Sequence, residues 1–360
     1  QITPVSKRKK MRTERRKRMS DIHRQNKDVI AGLRSALYDI NTDTLPKQME
    51  KIFTPDCPIR LAFPFKNLEG PKELYDRAYR PLIEAMPDLE RRDLIVIAGP
   101  SENGNMVGCC GYYIGVFERP WLDIPPTFHP VVMRFHEFYR LEEGRVVEMQ
   151  AIWDIPQVMM QARAWPMTPS LGVEWVVPGP AAQDGIPTAP RDEAESEASL
   201  KLVLDMINGL MKFAEGGHEA MNLPAYWHPK MTWYGPAGIG TNRRISGFRN
   251  WHQIPFLKAM PDRGMVENVK HYWFADGPYV AVTAWPGMRL TISQDGWLGI
   301  PPLGKEMTMC SLDFWRCEKG MIRENWVLVD ILDVYDQIGV DVFSRMREYT
   351  VDRQSSRPEI

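Results

Sequence analysis

The sequence predicts an α+β protein of two tandem units, each with three helices followed by a curved antiparallel sheet. Two observations indicate this architecture. A set of spaced residues occurs twice along the chain. In each copy the apolar period changes from about 3.6 residues, typical of helices, to about 2, typical of strands. Three helices wrapped by one curved sheet form a cone with an apolar interior, and the mouth of such a cone suits a small molecule.

The duplication is seen most clearly in the sheet region. Residues 121–126 (WLDIPP) return as residues 297–302 (WLGIPP), 176 positions later. The same offset relates Asp154 to Asp330. Residues 85–88 (AMPD) return at 259–262, at nearly the same offset. The function therefore has to be sought in the duplicated unit.

The repeat divides the chain into five parts. They are a basic N-terminal tail at 1–20, a first unit at 21–165, a Pro/Ala-rich linker at 166–198, a second unit at 199–346 and a C-terminal tail at 347–360. Asp21 is a candidate cap for the first helix. The basic tail is expected to be solvated rather than to bind nucleic acid, because no aromatic residues interleave its charges.

The second unit is predicted to repeat the element order of the first. Its first helix is expected at 199–214 and its strands at 266–274, 279–292, 307–317 and 321–330. A final helix is predicted from Ile331 towards Met346. The strands of each unit are expected to form one sheet of four or five antiparallel strands.

Composition excludes several classes of function. The net charge is -1, which favours neither nucleic acid nor a membrane surface as a partner. No apolar run is long enough to span a bilayer. The five cysteines are odd in number and lack metal-ligand spacing, so we expect free thiols, no metal and a reducing, cytoplasmic location. No GxGxxG or P-loop is present, and no cofactor is predicted.

Methionine and tryptophan are abundant, with 21 and 12 copies. The flexible, polarisable methionine side chain and the planar tryptophan ring line pockets for aromatic ligands, but they also fill ordinary cores. Composition alone leaves both interpretations open.

The motifs of the second half resemble those of a known family, the SnoaL-like polyketide cyclases of the nuclear-transport-factor-2-like superfamily of cone-shaped α+β folds. The residues that carry the resemblance are Phe314, Trp315, Arg316, Gly320, Glu324, Trp326, Asp330, Gln337 and Gly339. The first half keeps Arg140, Gly144, Glu148, Asp154 and Gln161. The resemblance covers about residues 26–165 and 196–346, and implies two such cones in tandem.

The resemblance also implies an activity. Such proteins include cofactor-independent lyases and isomerases that act by acid–base chemistry at carbon on hydrophobic aromatic molecules. Aldol closure, retro-aldol cleavage such as loss of formaldehyde, and dehydration belong to this class. The alternative is a binding protein that holds an aromatic ligand without converting it. The family commonly dimerises through the outer sheet face, which implies that the two halves pack in this way or that further copies associate.

By the resemblance, Asp154 and Asp330 are the candidate acid–base groups. A carboxylate among Trp and Leu side chains is desolvated, which raises its pKa towards the range of a general base. The alternative is a helix cap, because both residues follow a strand and precede a helix. A carboxylate bonded only to backbone N–H groups would favour the binding protein.

Three further residues are candidates for polar contacts in the cones. Tyr113 and Arg289 stand where the cyclases carry a histidine, and either could stabilise an oxyanion or could be an ordinary surface strand position. His136 and Glu137 are neighbours in a strand where the second half has Leu312 and Asp313. Adjacent strand residues face opposite ways, so only one of each pair can reach the interior of its cone.

Six aromatic residues are expected to contact the substrate: Trp121, Tyr139, Trp153, Trp297, Trp315 and Trp326. Arg140 with Glu148, and Arg316 with Glu324, are expected to form ion pairs that brace a hairpin. The halves differ at several of these places, so we expect one cone alone to be fully catalytic or the two substrates to differ.

Overall fold

The computed structural model describes residues 22–354, and the basic tail, the candidate cap Asp21 and residues 355–360 lie outside the described residues. The chain forms two α+β units joined by a long linker. In each unit, helices pack on the concave face of one six-stranded sheet. The predicted fold of two tandem cones is confirmed.

The first unit follows the predicted order of helices and strands. Its helices are α1 (22–38), α2 (Leu45–Ile52), α3 (Gly70–Glu73), α4 (Arg80–Ala85) and α5 (Ile155–Gln161), with a π-helical segment Leu74–Tyr79 between α3 and α4. Its strands are β1 (Pro58–Leu61), β2 (Lys66–Glu69), β3 (Glu90–Ser101), β4 (Gly104–Val116), β5 (Pro130–Glu142) and β6 (Arg145–Trp153).

The second unit repeats this order with shorter strands. Its helices are α6 (Glu193–Leu210), α7 (Phe213–Ala220), α8 (Arg244–Phe248), α9 (Ile254–Ala259), α10 (Ile331–Gln337), α11 (Val342–Tyr349) and α12 (Val351–Gln354), with a 3₁₀ turn Leu223–Ala225 and a π-helical segment Arg249–Gln253. Its strands are β7 (Trp227–Tyr234), β8 (Asn242–Arg243), β9 (Gly264–Met265), β10 (His271–Asp276), β11 (Tyr279–Ala284), β12 (Met288–Thr291), β13 (Glu306–Met309), β14 (Ser311–Glu318) and β15 (Met321–Val329).

The sheets are mixed rather than purely antiparallel. Their strand orders are β2-β1-β6-β5-β4-β3 and β10-β11-β14-β15-β7-β8, and β1 with β6 and β7 with β15 pair in parallel. The prediction of four or five antiparallel strands was wrong, because the short strand after the second helix of each unit joins the sheet beside the last strand.

Three long strands of the first unit are interrupted in the second. The strand predicted at 279–292 is broken between β11 and β12, where Pro286 has no N–H to donate to a ladder. The strand predicted at 307–317 is broken at Cys310, and the one predicted at 266–274 begins only at His271. The fragments β9, β12 and β13 form a separate three-stranded sheet.

Helix boundaries near the linker and the C-terminus also differ from the prediction. Helix α6 begins at Glu193 rather than at 199, because the Asp192 side chain caps it by accepting a hydrogen bond from the Glu195 N–H (3.1 Å). The final helix is broken before Asp341, which caps α11. The predicted C-terminal tail is helical from 347 to 349 and from 351 to 354.

The two units pack through the outer faces of their sheets. An apolar cluster there combines side chains of both units, among them Phe138, Tyr272, Phe274, Phe314 and Trp326. The linker lies along this interface, where the Val96 N–H donates to Gly185 O (2.8 Å). The two halves therefore pack through their outer sheet faces, the arrangement that the resemblance implies.

Candidate active site

A cavity of about 200 Å³ lies inside the second cone. Its wall is almost wholly apolar, with aromatic rings from several elements. The aromatic lining residues are Trp227, Trp233, Phe248, Phe256, Trp273 and Trp315, and the methionines are Met206, Met211, Met265, Met288 and Met309. The abundance of Trp and Met in the sequence is thus explained in part by this cavity.

Asp313 on β14 provides a carboxylate in this wall. Side chains alternate along a strand, so Asp313 and Trp315 face the cavity while Leu312 and Phe314 face the other unit. The Ser311 hydroxyl donates to Asp313 Oδ1 at 2.6 Å. Burial raises the pKa of Asp313 to about 7, because it disfavours the charged form more than the hydrogen bond from Ser311 favours it. A carboxyl group with this pKa can both accept and donate a proton near neutral pH.

His252 contributes a neutral imidazole to the same wall. Its ring stacks on Trp233 with centroids 4.1 Å apart. Burial, and to a smaller extent the charge of Arg263, lowers the pKa of His252 to about 3. The residue belongs to the π-helical segment Arg249–Gln253, a type of irregularity that is frequent at functional sites.

Several polar groups of the cavity wall have no protein partner. The buried Nε1 atoms of Trp227 and Trp315 and Oε1 of Gln253 lack a hydrogen-bond partner in the described part of the chain. Asn325 differs, because its Nδ2 donates to Phe314 O at 2.9 Å. Buried polar groups without partners are rare in folded proteins, and these atoms are available to a bound molecule.

The first cone has its interior filled by side chains. Glu137 occupies the place of Asp313 and accepts hydrogen bonds from Arg91 (2.5 Å), Tyr113 (2.8 Å), Tyr139 (2.6 Å) and Trp153 (3.0 Å). All of these side chains are buried. The Glu137 carboxylate is therefore fully engaged within the protein.

Substitutions between the repeats explain the difference in volume. Phe135 and Trp153, a cross-strand pair in the first sheet, are replaced by Ser311 and Val329, a pair in the same register. The π-helical segments align at the offset of the AMPD motif, which places Gln253 where the first unit has Tyr79. Smaller side chains at these three positions leave space that the first cone fills.

The structure places Asp154 and Asp330 between the two units, away from this cavity. Asp330 accepts hydrogen bonds from the backbone N–H groups of Phe63 (2.9 Å), in the first unit, and Asp333 (3.2 Å), in the helix it caps. Asp154 accepts from the Ala237 N–H of the second unit at 3.0 Å. Burial raises the pKa of Asp154 to about 6 and that of Asp330 to about 7. Asp330 thus caps α10, in agreement with the capping interpretation, whereas the Asp154 side chain makes no capping hydrogen bond to α5.

The other three polar candidates are dispersed. Tyr113 lies in the filled core of the first cone, where its hydroxyl donates to Glu137. Arg289 lies on the small three-stranded sheet with its side chain about half exposed, 3.8 Å from Glu306. His136 lies between the units, where its Nδ1 is 2.7 Å from Leu312 O. Glu137 and Asp313, rather than His136 and Leu312, reach the cone interiors.

Of the six aromatic candidates, Trp315 lines the cavity. Trp121, Tyr139 and Trp153 belong to the core of the first unit. Trp297 packs edge-on against Phe256, with centroids 5.6 Å apart. Trp326 lies between the units and donates to Pro178 O of the linker at 3.0 Å.

The two predicted hairpin ion pairs are present. Arg140 Nε lies 3.3 Å from Glu148, and Arg316 Nε lies 2.5 Å from Glu324. Each of these glutamates also accepts a hydrogen bond from a tyrosine at the interface between the units, Tyr272 for Glu148 and Tyr234 for Glu324. The pairs therefore brace both the hairpins and the interface.

His252 is a single histidine in a helical stretch, a pattern that favours a structural residue, and Arg263 carries no motif, so the sequence singles out neither. It leaves Asp313 as one of two possibilities. The comparison of the two repeats could have selected Asp313, because Glu137 and Asp313 are both acidic at one repeat position. The loss of bulk at Ser311 and Val329 could likewise have indicated which cone is open.

The structure gives two further limits for residues 22–354. No group of three or more His, Cys, Asp or Glu side chains there is arranged to hold a metal ion. No helix in that range is long and apolar enough to cross a membrane.

Residues 212–338 match the family model of the SnoaL-like polyketide cyclases. No curated protein sequence matches the chain. The family match confirms the resemblance for the second unit, which is the unit that contains the cavity.

Similar solved structures are also found. IdmH of Streptomyces antibioticus, proposed to be a polyketide cyclase, is 21% identical over 38% of this chain and 97% of its own, with a TM-score of 0.32. A proposed SnoaL-like polyketide cyclase of a Jannaschia species is 22% identical over 39% and 92%, with a TM-score of 0.34. AclR of Streptomyces galilaeus, proposed to be a hydroxylase, is 16% identical over 39% and 97%, with a TM-score of 0.33.

Proposed function

We propose that the second unit is a cofactor-independent lyase or isomerase that transfers protons at carbon in a small aromatic molecule, with Asp313 as the acid–base group. The observation that carries this proposal is a carboxyl group with a pKa of about 7 in the wall of an aromatic-lined cavity. Aldol, retro-aldol and dehydration reactions next to a carbonyl share an enolate or enol. One acid–base group can therefore serve each of them.

In the proposed step, the Asp313 carboxylate removes a proton from the carbon next to a carbonyl group. The electron pair of the broken C–H bond forms the enolate, and the protonated Asp313 returns the proton to carbon or to a leaving oxygen. The Ser311 hydroxyl holds one oxygen of Asp313 in place. The unpaired indole N–H groups of Trp227 and Trp315 are available to an oxygen of the substrate.

The cavity volume supports a small substrate. A dry protein cavity of about 150 Å³ accommodates benzene. A cavity of about 200 Å³ therefore suits one ring with substituents or two fused rings, and larger groups would extend through the mouth. The flat indole and phenyl walls favour an aromatic ring.

The second candidate function is a binding protein without catalysis. The observation that favours it is the position of Asp154 and Asp330, whose carboxylates bond to backbone N–H groups outside the cavity. In that case Asp313 would only orient the ligand.

The test is deuterium incorporation into 2-tetralone and other aromatic ketones of one or two rings, incubated with the protein in D₂O and measured by mass spectrometry. Wild-type protein is expected to accelerate exchange, and Asp313→Asn to lower the rate roughly 10²–10⁴-fold. Asp330→Asn and Asp154→Asn are the matched controls and are expected to retain most of the rate. Loss of exchange in Asp330→Asn alone would transfer the catalytic role to that residue. Binding of the ketones without exchange in any protein would favour the binding protein.

A further inference from the structure

Arg263 is an unpaired cation in the wall of the cavity. It lies in the turn between α9 and the short strand β9. Its Nη2 donates to Leu210 O at 3.0 Å and lies 3.9 Å from the Met211 sulfur. The described residues offer its guanidinium no carboxylate partner, although the buried arginines Arg91 and Arg316 are each paired with one.

Arg263 is partly buried, and the part of its charge that is removed from water is not offset by a counter-ion among the described residues. Burial accordingly lowers the pKa of Arg263. Five N–H donors in a planar fork match the two oxygens of a carboxylate. A bound carboxylate would therefore be the counter-ion of Arg263 that the described residues do not provide.

Arg263 and Asp313 belong to different parts of the wall. The charge of Arg263 contributes to the low pKa of His252, so these two residues are close. Arg263 donates to Leu210 O at the end of α6, whereas Asp313 lies on β14 and accepts from Ser311. The cavity therefore has a cationic side near Arg263 and a carboxyl group elsewhere, joined by aromatic and methionine side chains.

We propose that Arg263 binds a carboxylate of the ligand, so that the substrate is an aromatic carboxylic acid of one or two rings, held at its acid end by Arg263 with its reacting carbon at Asp313. This proposal rests on the proposed function in taking the cavity of the second unit as the ligand site and Asp313 as the acid–base group. The anion bound by Arg263 is part of the ligand and takes no part in the proton transfer.

The test compares carboxylates with amides of the same shape. Binding of benzoate against benzamide, and of 2-naphthoate against 2-naphthamide, is measured by calorimetry at pH 8. Wild-type protein is expected to prefer the carboxylate at least about tenfold, since a hydrogen bond to a charged group contributes on the order of 1.5–3 kcal/mol. Arg263→Gln is expected to reduce this preference to less than about twofold, and Arg263→Lys to retain part of it. Arg289→Gln, which alters an arginine outside the cavity, is the control and should bind like the wild type.

Two outcomes would overturn the proposal. One is the absence of a carboxylate preference in the wild type for both pairs, which does not depend on how any variant folds. The other is an unchanged preference in a folded Arg263→Gln protein. Asp313→Asn separates this proposal from the proposed function. If Asp313→Asn abolishes exchange while Arg263→Gln leaves the preference unchanged, the enzyme stands and the carboxylate site fails. If the preference depends on Arg263 and no protein shows exchange, the carboxylate site stands in a binding protein.

Discussion

The two cones share one backbone plan and differ in what fills them. In the first, the Glu137 carboxylate accepts hydrogen bonds from four side chains, and Phe135 and Trp153 occupy the space between helices and sheet. In the second, the equivalent Asp313 has Ser311 as its protein partner, and the surrounding side chains are smaller. Duplication thus allows one copy to become a solid core while the other keeps a cavity. Substitutions at a few inward-facing positions are enough to produce the difference.

The largest expected effect concerns the acidic residue at the shared repeat position. Glu137→Gln removes one of the two carboxylates that pair with buried Arg91 and leaves Asp93 as its remaining charge partner. We expect the free energy of unfolding to fall by about 3 kcal/mol, the lower end of the range for breaking a buried ion pair, because Asp93 still offsets the charge of Arg91. Urea denaturation of Glu137→Gln and of the wild type at pH 8 would measure this loss.

The matched control for that substitution is Asp313→Asn. Asp313 forms no ion pair among the described residues, and its charge is disfavoured by burial. We expect this variant to be as stable as the wild type or more stable at pH 8. Equal losses in Glu137→Gln and Asp313→Asn would contradict the distinction between a structural and a functional carboxylate.

The second prediction concerns a substitution that fills the cavity of the second unit. Val329→Trp restores at β15 the residue that fills the first cone from β6, and its side chain should occupy the cavity. We expect affinity for 2-naphthoate to fall at least about 100-fold, equivalent to about 2.7 kcal/mol of binding free energy. Calorimetry would measure this, with Val329→Ile as the control that adds one methyl group. Undiminished binding by a folded Val329→Trp protein would place the ligand elsewhere.

The fold could be predicted from sequence because the relevant signals are local. Apolar alternation in residues 106–117 and 131–141 predicts two strands, which are observed as β4 and β5, and the repeat predicts their counterparts at 279–292 and 307–317. The prediction failed where one residue stops a ladder, as at Pro286, because the apolar pattern continues on either side of the interruption.

The site could be predicted only in part, because it depends on how distant segments meet. From the sequence, Asp330 is predicted to be a buried carboxylate at the end of a strand in the second cone. Its partner Phe63, 267 residues away, places it between the units rather than in a cone. Strand alternation limited the interior position in β14 to Leu312 or Asp313, and the packing of the units decided between them. Arg263 gave no sequence signal, since the absence of a counter-ion is a property of the folded chain.

The smallest expected effect concerns the interface, where the two units remain alike. Asp154 and Asp330 have folded-state pKa values of about 6 and about 7, above the ordinary value of 3.8. A carboxyl group whose pKa is raised by folding stabilises the protein fully below its unfolded pKa, and this contribution is lost as the pH rises through the folded pKa. Asparagine resembles the protonated group and does not titrate, so the substitutions should remove this pH dependence.

For Asp330→Asn we therefore expect a change of at most about 1 kcal/mol at pH 5, as for a weakened helix cap, and a relative gain in stability at pH 8. Asp154→Asn should show the same sign over a pH window about one unit lower, because the folded pKa of Asp154 is about 6. Urea denaturation at both pH values would measure these changes. A greater loss at pH 8 than at pH 5 would mean that the ionised carboxylates stabilise the interface. If the two variants changed in opposite directions, the asymmetry of the cones would extend to the interface that joins them.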